Sequence, residues 1–187
     1  MNYYIDFDNT LYNTPELVQR LLKEIGEIEN AKRVLDLYIN GTLKNKALSD
    51  KLDAIVLNSS DLVYKDALPF LEKLKSKGNS LFMLTYCKYG LKYQSAKVIG
   101  SGLSEYFNGL YITAEPKYEL DFDYTKGIFI DDNPEDLLGL YSKKPVEVIR
   151  LRREGNKYSL KDLENADIKE YKDFTELSVK SEYERID

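Results

Sequence analysis

The 187-residue chain has no histidine, no tryptophan and a single cysteine, Cys87. Without histidine, the Ser-His-Asp and Cys-His nucleophile systems and histidine-rich zinc sites are excluded. Any chemistry must come from carboxylates, hydroxyls, Lys/Arg and a hard, oxygen-loving cation. One cysteine allows no internal disulfide, and its neighbours offer no metal partner, so Cys87 reads as a buried or half-buried bystander. No apolar run approaches the roughly 18 residues that span a bilayer. Met1-Asn2-Tyr3-Tyr4-Ile5-Asp6 reaches an acid without a basic or long apolar stretch, so no signal peptide, a cytosolic location and no membrane partner are expected. Basic charge is also short. With 27 Lys/Arg against 32 Asp/Glu, the formal charge is −5, and no nucleic-acid partner is expected.

What is present is 43% hydrophobic and 32% charged, the composition of a globular chain. The length suits one domain with a modest insertion, as a monomer or small homo-oligomer. Asn2 to Asp6 is an aromatic and β-branched run that predicts a buried strand ending in acid. From Thr14-Pro15, an N-cap followed by Pro at the first helical position, Leu17, Leu21, Ile25 and Ile28 mark an amphipathic helix. Val34, Leu35, Leu37 and Tyr38 predict a second helix, and Leu48, Leu52, Ile55 and Val56 a third, with a turn at Asn40-Gly41. A further helix from Asp66 carries Leu68, Leu71 and Leu74 and stops at Gly78.

Strands are then expected over Ser80 to Thr85, Leu110 to Ile112, Gly127 to Ile130 and Val146 to Ile149. Helices are expected at Leu91 to Ile99, closed by Gly100 and Gly102, and at Glu135 to Tyr141. This alternation predicts an α/β fold, a three-layer α/β/α Rossmann-like parallel sheet with a small α-helical insertion. Beyond Arg150 the polar stretch reads as a loop, with Arg150, Arg152 and Arg153 on a solvated edge. A last, peripheral helix is expected from Asp173 to Ile186.

Polar groups stand at the carboxyl ends of three expected strands: Asp6 and Asp8, then Thr85, then Asp131 and Asp132. Open parallel sheets gather ligands at that edge, so these groups can converge. The Asp-x-Asp spacing recurs at Asp121-Phe122-Asp123, but Lys117 to Leu120 makes a poor buried strand, and this copy reads as a decoy. A helix-loop-helix calcium site is disfavoured because Leu11 stands where the turn glycine is required and the motif follows a strand. Convergent carboxylates repel one another unless a cation joins them, and Mg²⁺, with its preference for oxygen ligands, is the expected partner.

The run Tyr4-Ile5-Asp6-Phe7-Asp8-Asn9-Thr10-Leu11, the strand Leu81 to Thr85, and Gly127-Ile128-Phe129-Ile130-Asp131-Asp132-Asn133-Pro134 occur in the order seen in the haloacid dehalogenase-like superfamily. The chain resembles the phosphatases of that superfamily from residue 2 to about 150. The resemblance implies a Mg²⁺-dependent phosphatase of a small phosphorylated metabolite. It also implies a core of residues 1–12 and 66–187 and a helical cap at 13–65. Asp6 is then the nucleophile that forms an aspartyl-phosphate. Asp8 is the acid and base, contributing its backbone carbonyl to the ion and able to remain protonated for its acid step.

Asp6, Asp8, Asp131 and Asp132 are the implied metal site, with the direct ligand of the last two left open. Thr85 holds a phosphoryl oxygen, helped by backbone N–H groups near Phe7 and Tyr86. A lysine must face the phosphate. Lys117 fits, although 14 residues to Asp131 is short for the usual intervening helix, and Lys88 stays in contention. Carbon–halogen cleavage needs no second acid at position 8, so phosphoryl transfer is favoured. A phosphomutase on the same core and a catalytically silent binding module are the alternatives. A signalling receiver domain has the acids in another order and no helical insert.

Overall fold

The computed structural model describes the chain except residues 28, 88–89, 125–126, 164–166 and 184–187, and over 180–183 it describes the backbone alone. Six short runs, all but the last largely apolar, form one all-parallel sheet: β1 Asn2–Ile5, β2 Ser80–Tyr86, β3 Gly109–Thr113, β4 Gly127–Asp131, β5 Glu147–Leu151 and β6 Lys169–Tyr171. The spatial order is β3-β2-β1-β4-β5-β6. Strand β1 is therefore central, with Tyr4 aligned to Phe82 on one side and to Phe129 on the other. The chain winds outward from β1 through β2 and β3, then crosses back to β4. The loops after β1 and β4 thus part at the switch point where such sheets bind ligands.

Side chains alternate across the sheet because the strand period is two. Tyr3, Ile5, Leu81, Met83, Ile128, Ile130, Ile149 and Leu151 face one core; Tyr4, Leu84, Phe129 and Val148 face the other. The first core is covered by α4 (Ala67–Ser76), α5 (Leu91–Gly100) and α7 (Phe174–Tyr183), and the second by α6 (Pro134–Lys143). This is the expected three-layer α/β/α Rossmann-like architecture. No described helix is long and apolar enough to cross a membrane.

Between β1 and β2 lie α1 (Thr14–Ile25), α2 (Ala31–Ile39) and α3 (Lys46–Leu57). Leu17, Leu21 and Ile25 recur on one face of α1 and are buried, each contributing roughly 1.5–3 kcal/mol; Ile28 lies outside the described residues. They join Leu35, Tyr38, Leu52 and Val56 in the same cluster as β1 and α4. Gly100 of α5 permits close docking, since a Cβ there would lie 2.1 Å from the Val56 carbonyl oxygen. The two passes joining insert and sheet are also laced together, by Asn13 N–H donating to Leu62 O (2.9 Å) and Tyr64 N–H to Leu11 O (3.0 Å).

Several expectations are corrected. The N-cap of α1 is Asn13, whose side chain accepts from Glu16 N–H, and the Thr14 hydroxyl turns to Asp8 instead. Leu37 and Leu68 are over a third exposed rather than on the packed faces. Gly100 is the last residue of α5, not a turn beyond it. The tail is not peripheral: β6 extends the sheet, and Phe174 of α7 is buried with its ring stacked 4.3 Å from Phe70. The expected end of that helix at Ile186 lies outside the described residues.

Arg150 and Arg153 do not form a solvated edge either. Arg150 is fully buried and donates to Glu170 (2.9 Å) and Tyr158 O (2.7 Å). Arg153 donates to Thr10 O (2.9 Å) and to both Asp66 oxygens (3.1 and 2.9 Å), beneath the Tyr64 ring at 3.9 Å. Carboxylate partners offset each buried charge, with only Arg150 Nε left without a partner among the described residues, and a run of arginines in sequence does not reveal this. Arg152 stays at the surface on Asp162.

Candidate active site at the carboxyl edge of the sheet

Strand β1 ends under Asp6, whose backbone N–H still donates to Ile130 O at 2.9 Å, so the carboxyl is carried on the rigid sheet. Three residues on, Asn9 takes a left-handed backbone (φ 60°), a conformation asparagine tolerates, and its N–H donates to Tyr12 O (2.8 Å). The tight loop this makes returns the chain to α1 while keeping Asp8 at the edge. Strand β2 delivers Thr85, and β4 delivers Asp131, followed directly by Asp132. Asn133 caps α6 with its side chain and donates its backbone N–H to Asp131 (2.9 Å), fixing that carboxylate.

A cavity of about 520 Å³ opens there. Asp6, Asp8, Thr85, Tyr86, Lys117, Asp131 and Asp132 all line it, so residues separated by up to 126 positions converge. Phe7 does not: its ring is fully buried and stacked on Tyr12 at 4.8 Å. Lys88 lies outside the described residues. The 121–123 repeat stays on a loop, with Asp121 and Asp123 exposed and Phe122 packed against Tyr111 and Tyr124.

Lys117 reaches the site without the usual helix. A short 3-10 turn carries it, and the next residues fold onto α6, where Gly139 leaves room for the Tyr118 ring. Tyr118, Leu120, Phe122 and Tyr124 then cover the second core. The Lys117 ammonium is buried, 2.5 Å from Asp6 and 2.7 Å from Asp131. Burial opposes its charge, but Asp131, Asp6 and Asp136 outweigh that and hold it protonated, above the ordinary lysine range.

Asp6, Asp131 and Asp132 each bring a carboxylate oxygen within 4.8 Å of the others. Burial pushes the carboxyls of Asp6 and Asp132 well above the usual range, and the neighbouring acids push the same way against Lys117. One oxygen of Asp132 is buried with no hydrogen-bond partner among the described residues. An all-oxygen donor set with an orphaned buried oxygen fits a hard divalent cation. The Asp8 carboxylate stands outside this cluster. It accepts from Lys97, Thr14 and Gln94, and those donors outweigh burial and hold it below the usual range. Lys97, absent from every sequence motif, thus favours the ionised form of Asp8, the opposite direction from the protonated form expected for its acid step.

Further cavity residues carried no sequence signal of a site. Lys97 is a buried lysine on a helix read only for its apolar face. Asp136 accepts from Lys117 N–H (3.0 Å) and from the Asn133 amide (3.0 Å), so it seats the lysine from α6. Lys157 and Tyr158 come from the tail, and Thr14, Pro15, Val18 and Gln19 from α1.

No protein-family model and no curated protein matches the sequence. Solved structures do. A haloacid dehalogenase-like hydrolase from Burkholderia xenovorans LB400 superposes with a TM-score of 0.71 at 15% identity, over 97% of each chain. The HAD-hydrolase YfnB from Bacillus subtilis, bound to magnesium, gives 0.65 at 15% identity over 95% of this chain and 96% of its own. A structure from Thermotoga maritima assigned as a beta-phosphoglucomutase gives 0.63 at 16% identity over 97% and 98%. The chain therefore has the fold of the haloacid dehalogenase-like hydrolases.

Proposed function

We propose that the chain is a Mg²⁺-dependent phosphatase acting on a small phosphorylated metabolite, with Asp6 as the nucleophile. The observation that carries this reading is the meeting of Asp6, Asp131, Asp132, Lys117 and Thr85 around one cavity at the switch point of the sheet. A phosphoryl group in transfer spreads negative charge over its equatorial oxygens, and this site has a buried ammonium and a hydroxyl to meet it. Asp6, Asp131 and Asp132, with the backbone carbonyl of Asp8, would hold the ion, which screens phosphate from carboxylate and withdraws charge from phosphorus.

In this reading an oxygen of Asp6 attacks phosphorus and the bond to the leaving oxygen breaks, giving an aspartyl-phosphate. Water then attacks the same phosphorus, phosphate departs, and Asp6 is free again. Asp8 manages the protons: the form that has taken up a proton gives it to the leaving oxygen, and the carboxylate left behind, which Lys97 favours, takes one from the attacking water. Lys117 neutralises the phosphoryl oxygens and holds Asp6 in line. Thr85 donates to one of those oxygens, joined by backbone N–H groups around Phe7 and Tyr86. Residues 13–65 are read as the cap and 1–12 with 66–187 as the core, the cap shielding the reaction from bulk water through Pro15, Val18 and Gln19.

Carbon–halogen cleavage on the same nucleophile is the competing chemistry, and one dehalogenase neighbour has a TM-score of 0.67. The Asp8 carboxylate and its Lys97 partner favour phosphate, because halide leaves without a proton. Offering the protein aryl phosphate and a short 2-haloacid in parallel tests this. Phosphate release is expected, and halide release alone would reverse the assignment. Isomerisation of a sugar phosphate without free phosphate would move it to a mutase.

A further inference from the structure

Gln94 is almost fully buried on α5 and takes no part in the chemistry described above. Its side-chain nitrogen lies 2.7 Å from an Asp8 oxygen and 2.9 Å from the Thr85 hydroxyl oxygen. The Asp8 carboxyl already accepts from Lys97 and Thr14, and the atom that meets its other oxygen is the amide nitrogen of Gln94, a donor. That nitrogen has two N–H groups and no accepting role, so it donates to Asp8 with one and to Thr85 with the other. Thr85 therefore accepts from Gln94, and its own hydroxyl hydrogen is left to point elsewhere. Thr85 lines the cavity, and a phosphoryl oxygen there is the acceptor that hydrogen needs.

The same helix holds Asp8 a second time. Lys97, one turn beyond Gln94, donates to the other Asp8 oxygen, and Thr14 of α1 joins it. Helix α5 cannot drift, because Gly90 and Gly100 seat it on the backbone of α2 and α3. We propose that Gln94 is a positioning residue of this site, whose single amide sets the Asp8 carboxylate and the direction of the Thr85 hydroxyl together. This inference rests on the phosphatase reading and adds to it a residue that touches neither substrate nor ion.

Gln94→Met keeps the length and apolar bulk of the side chain and removes both donors. With aryl phosphate and Mg²⁺, kcat is expected to fall on the order of 10- to 100-fold while KM stays close to that of the parent. In a Thr85→Val background the same change should cost less, because the hydroxyl it orients is gone. A buried amide that only supports the fold would not show that dependence on Thr85. Gln94→Asn, which keeps an amide but is one methylene short, should fall in the same direction and serves if the Met variant fails to fold. An active parent whose Gln94 variants keep its kcat overturns the inference alone, as does a loss of equal size with and without the Thr85 hydroxyl. A parent that neither turns over aryl phosphate nor gains thermal stability from orthovanadate overturns the phosphatase reading and the inference with it.

Discussion

Gly100→Ala sets two opposing effects against each other. In an unobstructed helix the change gains about 1 kcal/mol, because alanine loses less backbone freedom on folding. At this position the new methyl would lie 2.1 Å from Val56 O, 2.9 Å from Leu57 Cα and 3.0 Å from Leu57 C. All three are backbone atoms that cannot rotate aside, so α5 and α3 must separate by about 1 Å to restore ordinary contact. Over-packing of that kind costs roughly 1–3 kcal/mol. The shift also pulls on Val56 O, which accepts from the Ser59 hydroxyl at 2.7 Å, while Ser59 in turn accepts from Tyr12 at 2.7 Å. Weakening that buried chain adds about 1 kcal/mol. The penalties outweigh the helix gain, and a net loss of about 1–3 kcal/mol is expected from these ranges. Urea unfolding followed by circular dichroism measures it, with Gly102→Ala as a control where the left-handed backbone is strained but the space is open. Aryl phosphate turnover should fall too, because α5 carries Gln94 and Lys97. A Gly100→Ala protein as stable as the parent, or more so, would refute the close docking of α5 on α3.

Arg153→Met removes the guanidinium that joins Thr10 and Asp66 and leaves Asp66 without its buried counter-charge, a loss of roughly 3 kcal/mol by urea unfolding. Arg153→Lys should recover only part of it, since an ammonium cannot make the forked contact. Lys117→Met should lower stability by about 3 kcal/mol in EDTA, because Asp6 and Asp131 lose their shared ammonium; added Mg²⁺ should restore part of the melting temperature but not turnover. At alkaline pH the buried tyrosines set the limit: burial pushes Tyr12 up to about 12, with Tyr38, Tyr93 and Tyr124 also raised by burial. Their contribution is complete below the unfolded value of about 10 and is lost as pH climbs from there through the folded values. Tyrosinate absorbance should accordingly show a group of tyrosines that ionises only together with unfolding, and independent titration of all 16 would contradict it.

The sheet was legible because β1, β2 and β4 are apolar runs that end in chemistry-bearing residues. Periodicity located α1, with Pro15 marking its start, and located α3 unaided. Strand β6 was not, since Lys169-Glu170-Tyr171 is short and polar and becomes a strand only by pairing with β5. The cap position of α1 shifted by one residue because Thr14 found a stronger partner in Asp8 than in its own helix. The convergence of Asp6, Asp8, Thr85, Asp131 and Asp132 followed from a topological rule, whereas Gln94, Lys97 and Asp136 reach the site through helix packing that no local pattern encodes. The short span from Lys117 to Asp131 looked awkward because a helix was expected there. A loop of aromatic residues, packed where Gly139 makes room, covers the same core in fewer residues.

The central claim is that Asp6 and a divalent cation act together on a phosphate ester. Phosphate release from an aryl phosphate, measured for the parent and for Asp6→Asn with Mg²⁺ and with EDTA, tests it most directly. Turnover that requires Mg²⁺ in the parent and vanishes in Asp6→Asn is the predicted result. Turnover that persists in Asp6→Asn, or that EDTA leaves untouched, would contradict it.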